Sequence, residues 1–172
     1  MNVPSKRPGA PPTIRVLCVD DHRIVRDGFA LIITREADMQ VVGLAATGED
    51  AVQIFKRERP DVTLMDLRLG TMTGLEAIRA IRLEDPDARI IVLTMYQGDE
   101  DVYGALAAGA ATYLLKETLP EDLIRVIRDV HAGNRPLDPA IKAMLAERAN
   151  HPTLTPREVE VIGLISEGKR NK

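Results

Sequence analysis

Five residues in this 172-residue chain are of the types and in the places that chemistry favours: Asp20, Asp21, Asp66, Thr94 and Lys116. Each stands where a short apolar run rich in β-branched residues ends: residues 14–19 lead into Asp20-Asp21, 62–65 into Asp66, 89–94 end in Thr94, and 111–115 lead into Lys116. Three carboxylates gathered at one point repel one another unless a cation neutralises them, and oxygen donors with neighbouring water favour Mg²⁺. A lysine adds a second, fixed positive charge, and a threonine hydroxyl adds a donor. Together these groups suit a phosphoryl group, whose charge metal and ammonium offset while a carboxylate oxygen acts as nucleophile and forms an acyl phosphate.

Taken singly, each residue has an ordinary explanation. An aspartate at a loop start caps the next helix, a threonine belongs on a strand, and a lysine at a strand end is solvated. It is their coincidence at a common sheet edge that argues for a site. His22 follows the acidic pair, but His22, His131 and His151 are too scattered for a metal-ligand spacing and His22 reads as a solvated helix-start residue. Cys18 lies within the first run and reads as a small core residue. The cations Arg157, Lys169, Arg170 and Lys172 fit a solvated helix end as well as they fit phosphate contacts.

The elements that must position these groups follow from periodicity. A further run at 40–45 brings the short apolar segments to five, and longer helical patterns separate them, which predicts βαβ units and a parallel sheet. Five such units predict one doubly wound (βα)5 domain, an α/β fold in which strand C-termini and the loops after them form the working edge. The last helix is the clearest. Thr118 and Glu121 have capping-box spacing around Pro120, Leu123, Val126, Ile127 and Val130 share a face, and Gly133 is placed to stop it.

Residues 1–12 hold four prolines and no apolar periodicity, which predicts a disordered leader. Residues 13–135 carry 15 basic and 21 acidic side chains, whereas 136–172 carry 6 and 5, so a boundary is placed near Pro136. A linker with a helix capped by Asp138 is expected over 136–153. A further helix starts at Thr155, with Pro156 first and Glu158 closing the box, and the chain ends four residues after Gly168. This second module, 154–172, reads as cut short.

The motifs Val-Asp-Asp-His at 19–22, Leu-Met-Asp-Leu-Arg-Leu at 64–69, Gly74-Leu75-Glu76, Leu93-Thr94 and Tyr113-Leu114-Leu115-Lys116 resemble, in order and spacing, those of two-component response regulator receivers. The resemblance covers about 13–135. It implies that Asp66 is the phosphoacceptor for a sensor histidine kinase, that Asp21 binds Mg²⁺ directly and Asp20 through water, and that the Arg68 carbonyl completes the protein ligands. It further implies that Thr94 bonds the phosphoryl oxygen, that Lys116 pairs with the phosphoryl group or with Asp66, and that Tyr113 is a switch aromatic. The segment from Leu154 to Gly168 is similar to the opening of the LuxR-type helix-turn-helix of the NarL/FixJ subfamily, which implies promoter DNA as a partner of a longer chain and dimerisation on activation. Two positions depart from the family pattern: Gly70 replaces the usual proline, and Thr73 the usual Asp or Asn. Both lie in the loop beside Asp66 and bear on its rigidity and on phosphoryl lifetime.

Rival readings meet specific obstacles. A Mg²⁺-dependent phosphohydrolase of the haloacid-dehalogenase type needs a second acid two residues after its nucleophile, where Arg68 stands, so a turnover enzyme is not expected. A flavodoxin-like binder needs a phosphate-cradling loop where Asp20-Asp21 stands. A phosphorylation-independent interaction module has no need of the acidic triad. The net charge of −3 gives no general attraction to nucleic acid, and without a recognition helix residues 1–172 are not expected to bind DNA sequence-specifically. One cysteine excludes a disulfide framework. No apolar run approaches the roughly 18 residues of a membrane span. A cytoplasmic protein is expected.

Overall fold

The computed structural model describes residues 13–95, 99–137 and 143. The expected leader at 1–12, the linker helix from Asp138 apart from Ala143, and the helix-turn-helix opening at 154–172 lie outside the described residues. Contacts divide the chain into two units, Met1–Leu137 and Asp138–Lys172.

Five strands and five helices alternate: β1 (Ile14–Val19), α1 (Arg23–Thr34), β2 (Met39–Ala45), α2 (Gly48–Glu58), β3 (Val62–Asp66), α3 (Gly74–Glu84), β4 (Ile90–Thr94), α4 (Asp99–Ala107), β5 (Thr112–Leu115) and α5 (Pro120–His131). All pairings are parallel and the order is β2-β1-β3-β4-β5. The chain therefore reverses direction across the sheet after β2, and β1 and β3 become neighbours at the switch point. β3 and β4 are buried along their whole length, as expected of strands covered on both faces, which read as continuous apolar runs. Val16, Cys18, Leu64, Ile91 and Leu93 join Phe29 and Ile33 of α1 and Leu123, Ile127 and Val130 of α5 in one core cluster. The intervening residues Leu17, Met65 and Val92 are also buried and point to the opposite face by the alternation of a strand.

The strand ends differ from the periodicity reading in one instructive place. β3 runs on through Asp66, which pairs in register with Leu93, so this carboxylate is anchored by the ladder and not by a loose loop. The capping box expected from Thr118 and Glu121 does not form. Thr118 N–H instead closes a turn on Leu115 O at 3.0 Å, Leu119 takes the cap position without a side-chain bond, and Pro120 starts α5. Gly133, at φ +91°, does end that helix. The box forms on α3, where Thr73 Oγ1 accepts from Glu76 N–H and Glu76 Oε2 accepts from Thr73 N–H at 2.8 Å. Thr73 departs in type from the Asp or Asn usual in the family yet keeps the capping function that those residues share with it.

α3 begins unusually close to β3. A Cβ on Gly74 would lie 2.1 Å from Asp66 O and 2.7 Å from Leu67 Cα, whereas one on Gly70 would meet nothing within 4 Å. Gly74→Ala should therefore lower the urea unfolding midpoint, costing about 1–3 kcal/mol or more because backbone must give way. Gly70→Ala should leave the midpoint unchanged or raise it, with a gain in stability of up to about 1 kcal/mol. Equal effects of the two substitutions would contradict this account.

Candidate functional site

At the C-terminal edge of the sheet, Asp20 follows β1 and is 2% exposed. Its N–H donates to Ala45 O at 3.1 Å, its Oδ1 accepts from His22 N–H at 2.9 Å, and its carbonyl accepts from Arg26 Nη1 at 2.5 Å. The first turn of α1 thus folds back onto the end of β1 and fixes this carboxylate. Asp66 ends the adjacent β3 and is equally buried. Asp21 is the accessible member of the group, its side chain 41% exposed.

Lys116 closes the site from the far side. Neighbouring strands lie about 4.8 Å apart, so β5 is about 10 Å from β3 and only a long side chain reaches across the end of β4. Lys116 Nζ does so, lying 2.8 Å from Asp66 Oδ2 and 2.6 Å from Asp20 Oδ2. Its own N–H donates to Thr94 O at 2.8 Å. The Thr94 backbone therefore roots the lysine while its buried side chain stands at the same edge.

Burial pushes the Asp66 carboxyl above the ordinary aspartate range; Lys116 and the Arg68 N–H pull it down, and Asp20 adds to the rise. Burial also works against the Lys116 charge, but the contacts with Asp20 and Asp66 outweigh it and hold the ammonium above the usual lysine value. When ionised, three carboxylates face one ammonium and keep two negative charges in excess. One oxygen each of Asp20, Asp21 and Asp66 lies with a His22 ring nitrogen inside a group spanning 4.8 Å. Asp20 Oδ2 is buried and ion-paired with Lys116 Nζ at 2.6 Å. An excess of two negative charges among clustered carboxylate oxygens fits a divalent cation.

The structure thus brings Asp20, Asp21, Asp66, Thr94 and Lys116 to one edge. Arg68 exposes its side chain and turns its N–H to Asp66. Tyr113 is not in the carboxylate group. It lies on β5 beside Val92, 6% exposed, with its hydroxyl pushed up to about 12 by burial and by Asp101. His22 stands at the cap of α1 with its side chain 70% exposed, as a helix-start residue would, and its Nδ1 lies 2.7 Å from Asp21 Oδ1. Sequence reading missed Arg26, which has no motif to mark it.

A buried acidic edge closed by a lysine on a five-stranded parallel sheet defines a receiver. The response regulator receiver domain family matches residues 16–128, and the chain belongs to that family. It is 39% identical to the uncharacterized transcriptional regulatory protein YhcZ of Bacillus subtilis over 168 residues, 92% of this chain and 78% of that protein. Its identity to the transcriptional regulatory protein LiaR of the same organism is 38%, over 92% of this chain and 79% of LiaR. Among solved structures it resembles a LuxR-family two-component response regulator from Aurantimonas sp., with TM-score 0.73, 38% identity, and coverage of 81% of this chain and 99% of that one. The protein is a LuxR-type response regulator, of the class in which a receiver answers to sensor histidine kinases and controls a DNA-binding output domain, and its relatives are transcriptional regulators, not classical enzymes. Among the described residues no helix is long and apolar enough to cross a membrane.

Lys116→Met removes the ammonium and leaves two buried carboxylates facing each other. With divalent metal chelated, it should cost about 3–5 kcal/mol near neutral pH, the usual penalty for breaking a buried pair. Asp66 will then bind its proton more tightly folded than unfolded, so stability is gained as pH falls through its raised folded value. Thermal unfolding across pH 7.5 to 5 should show the gap to the parent narrowing; a gap that widens would place the lost charge elsewhere.

Proposed function

We propose that Asp66 is the phosphoacceptor of this receiver, that residues 13–135 form the complete receiver, and that 136–153 and 154–172 are a linker and the opening of the DNA-binding domain. The observation that carries this reading is the Asp66 carboxylate, buried at the end of β3 and bound to Lys116, which also contacts Asp20. An Asp66 oxygen attacks the phosphorus of a phosphohistidine on the sensor kinase, the P–N bond breaks, and an acyl phosphate remains. Asp20, Asp21, Asp66 and the Arg68 carbonyl would hold a Mg²⁺, which would supply positive charge to the phosphoryl oxygens. Lys116 moves its pairing from the Asp66 carboxylate to the phosphoryl group, and the Thr94 hydroxyl donates to a phosphoryl oxygen. Slow attack of water on the acyl phosphate resets the chain, so the receiver promotes its own phosphorylation and dephosphorylation without turning over a free substrate.

Tyr113 is buried in this conformation, and phosphorylation holds its ring inward when Thr94 is drawn to the phosphoryl group. Its effect passes to the surface of α4, β5 and α5, where the chain dimerises.

Incubation with acetyl phosphate and Mg²⁺ should add the mass of one phosphoryl group to the intact protein. Asp66→Asn should add none, and a chelator should abolish the gain; modification of the Asn variant would assign the acceptor elsewhere. Beryllofluoride with Mg²⁺ should narrow the Tyr113 ring signals in NMR spectra and shift the protein towards dimer in sedimentation. Thr94→Ala should still bind beryllofluoride but lose both responses; a full response in that variant would remove Thr94 from the coupling.

A further inference from the structure

The opposite edge of the sheet gathers side chains for which phosphoryl transfer at Asp66 has no use. A cavity of about 330 Å³ opens beneath the first residues of β4 and β5, bounded by the ends of α3 and α5. Arg82, Arg89 and Arg135 line it together with one acid, Asp87. Three guanidinium groups against one carboxylate leave two positive charges in excess, although residues 13–135 as a whole carry 15 basic and 21 acidic side chains. Among the described residues no carboxylate pairs with Arg89 or Arg135. Helix C-termini attract cations, which accounts for Arg82 in the last turn of α3. It does not account for the others: Arg89 precedes a strand, and Arg135 lies beyond the turn in which Gly133 N–H and Asn134 N–H already bond Val130 O and Asp129 O.

The cavity is also held in shape. Arg82 is half-buried, donates from Nη1 to Ala88 O at 3.2 Å, and lies across Gly109, where a Cβ would come 2.7 Å from its Nε. Gly109 has φ +105°, a conformation that favours glycine, so the turn into β5 leaves room for the guanidinium. On the other side the buried Thr112 hydroxyl donates to Pro136 O, which ties the chain next to Arg135 to the start of β5. Ala88, Ala111 and Val130 are buried and give the cavity an apolar floor.

We propose that this cavity binds a small organic phosphate, with the arginines on the phosphate and the apolar floor under the organic part. Arginine presents a planar fork of donors that matches phosphate oxygens, and the volume falls at the lower end of the roughly 300–1,000 Å³ of small-molecule sites. One dianionic phosphate neutralises the excess of two charges. A concave site suits a small ligand better than a nucleic acid duplex, whose phosphates stand on a convex surface. The bound phosphate joins the end of α3, the start of β4 and the segment after α5, and so stiffens the point at which the chain leaves α5.

The probe is adenosine 5′-monophosphate, added to the full chain in a chelating buffer so that the acidic edge, free of divalent metal, repels it. Calorimetry should show saturable binding with Kd below about 1 mM, and NMR spectra should show shifts at the Gly109, Ala111 and Gly133 amides but not at Asp20 and Asp66. Arg89→Gln and Arg135→Gln, at exposed positions, should each weaken binding about 5-fold and together about 20-fold, with the unfolding midpoint unchanged. Adenosine, which lacks the phosphate, should not bind. Absence of binding to the parent, full binding to the double variant or equal binding of adenosine would overturn the proposal. Shifts centred on Asp20 and Asp66 would move the anion to the acidic edge and overturn it as well. A random-sequence DNA duplex that displaces the nucleotide at equal phosphate concentration would make the cavity a nucleic-acid contact, with the same consequence.

Discussion

The ammonium of Lys116, held between the buried carboxylates of Asp20 and Asp66, is the interaction on which the rest of this structure depends. Two carboxylates at neighbouring strand ends could not both be buried and ionised without it, since desolvation and mutual repulsion act in the same direction. The same contact fixes β5 relative to β1 and β3, because the lysine reaches Asp66 only if its backbone sits at the end of a strand two places away. Thr94 O accepting from Lys116 N–H settles that position at 2.8 Å. The pairing is also poised for exchange. An ammonium bound to two acids can transfer one of its bonds to an incoming phosphoryl group without leaving its place, and electrostatic groups arranged in advance need little reorganisation when the charge arrives.

Around that pair the chain is drawn in by close approaches that leave little choice of residue. Gly74 brings α3 against the backbone of Asp66, and its N–H donates to Leu67 O at 3.0 Å. The loop between them buries Leu67 and Leu69 while Arg68 and Gly70 stay exposed, so it is pinned at two points and open at two. Thr73 and Glu76 close it onto α3. On the other side Arg26 and the His22 N–H tie α1 to Asp20. The acidic edge is therefore held by backbone hydrogen bonds on both sides, while the Asp21 side chain remains accessible to solvent.

Further out, Arg128 of α5 joins Asp38 through two nitrogens at 2.8 Å and Glu36 at 2.7 Å. Side-chain hydrogen bonding to Arg128 holds the Asp38 carboxyl below the ordinary aspartate range. Such an exposed group contributes little to stability alone, but its geometry ties the middle of α5 to the entry of β2.

Local chemistry determined a great deal from residue order alone. Alternation of short β-branched runs with 3.6-period segments specified five strands and five helices, and the polar residues ending every run but the second marked Asp20, Asp21, Asp66, Thr94 and Lys116, because strand termini and turn-forming residues are properties of a few neighbours. The domain boundary near Pro136 and the modules beyond it rest on that reading still. What required the tertiary structure was everything set by distance along the chain. The strand order that makes β1 and β3 neighbours, the span of Lys116 across β4, and the burial of Tyr113 all depend on which elements pack together. Leu119 and not Thr118 heads α5 because the turn out of β5 consumes Thr118 first. Asp20 and Asp66, 46 positions apart in the chain, meet only because two parallel strands end side by side.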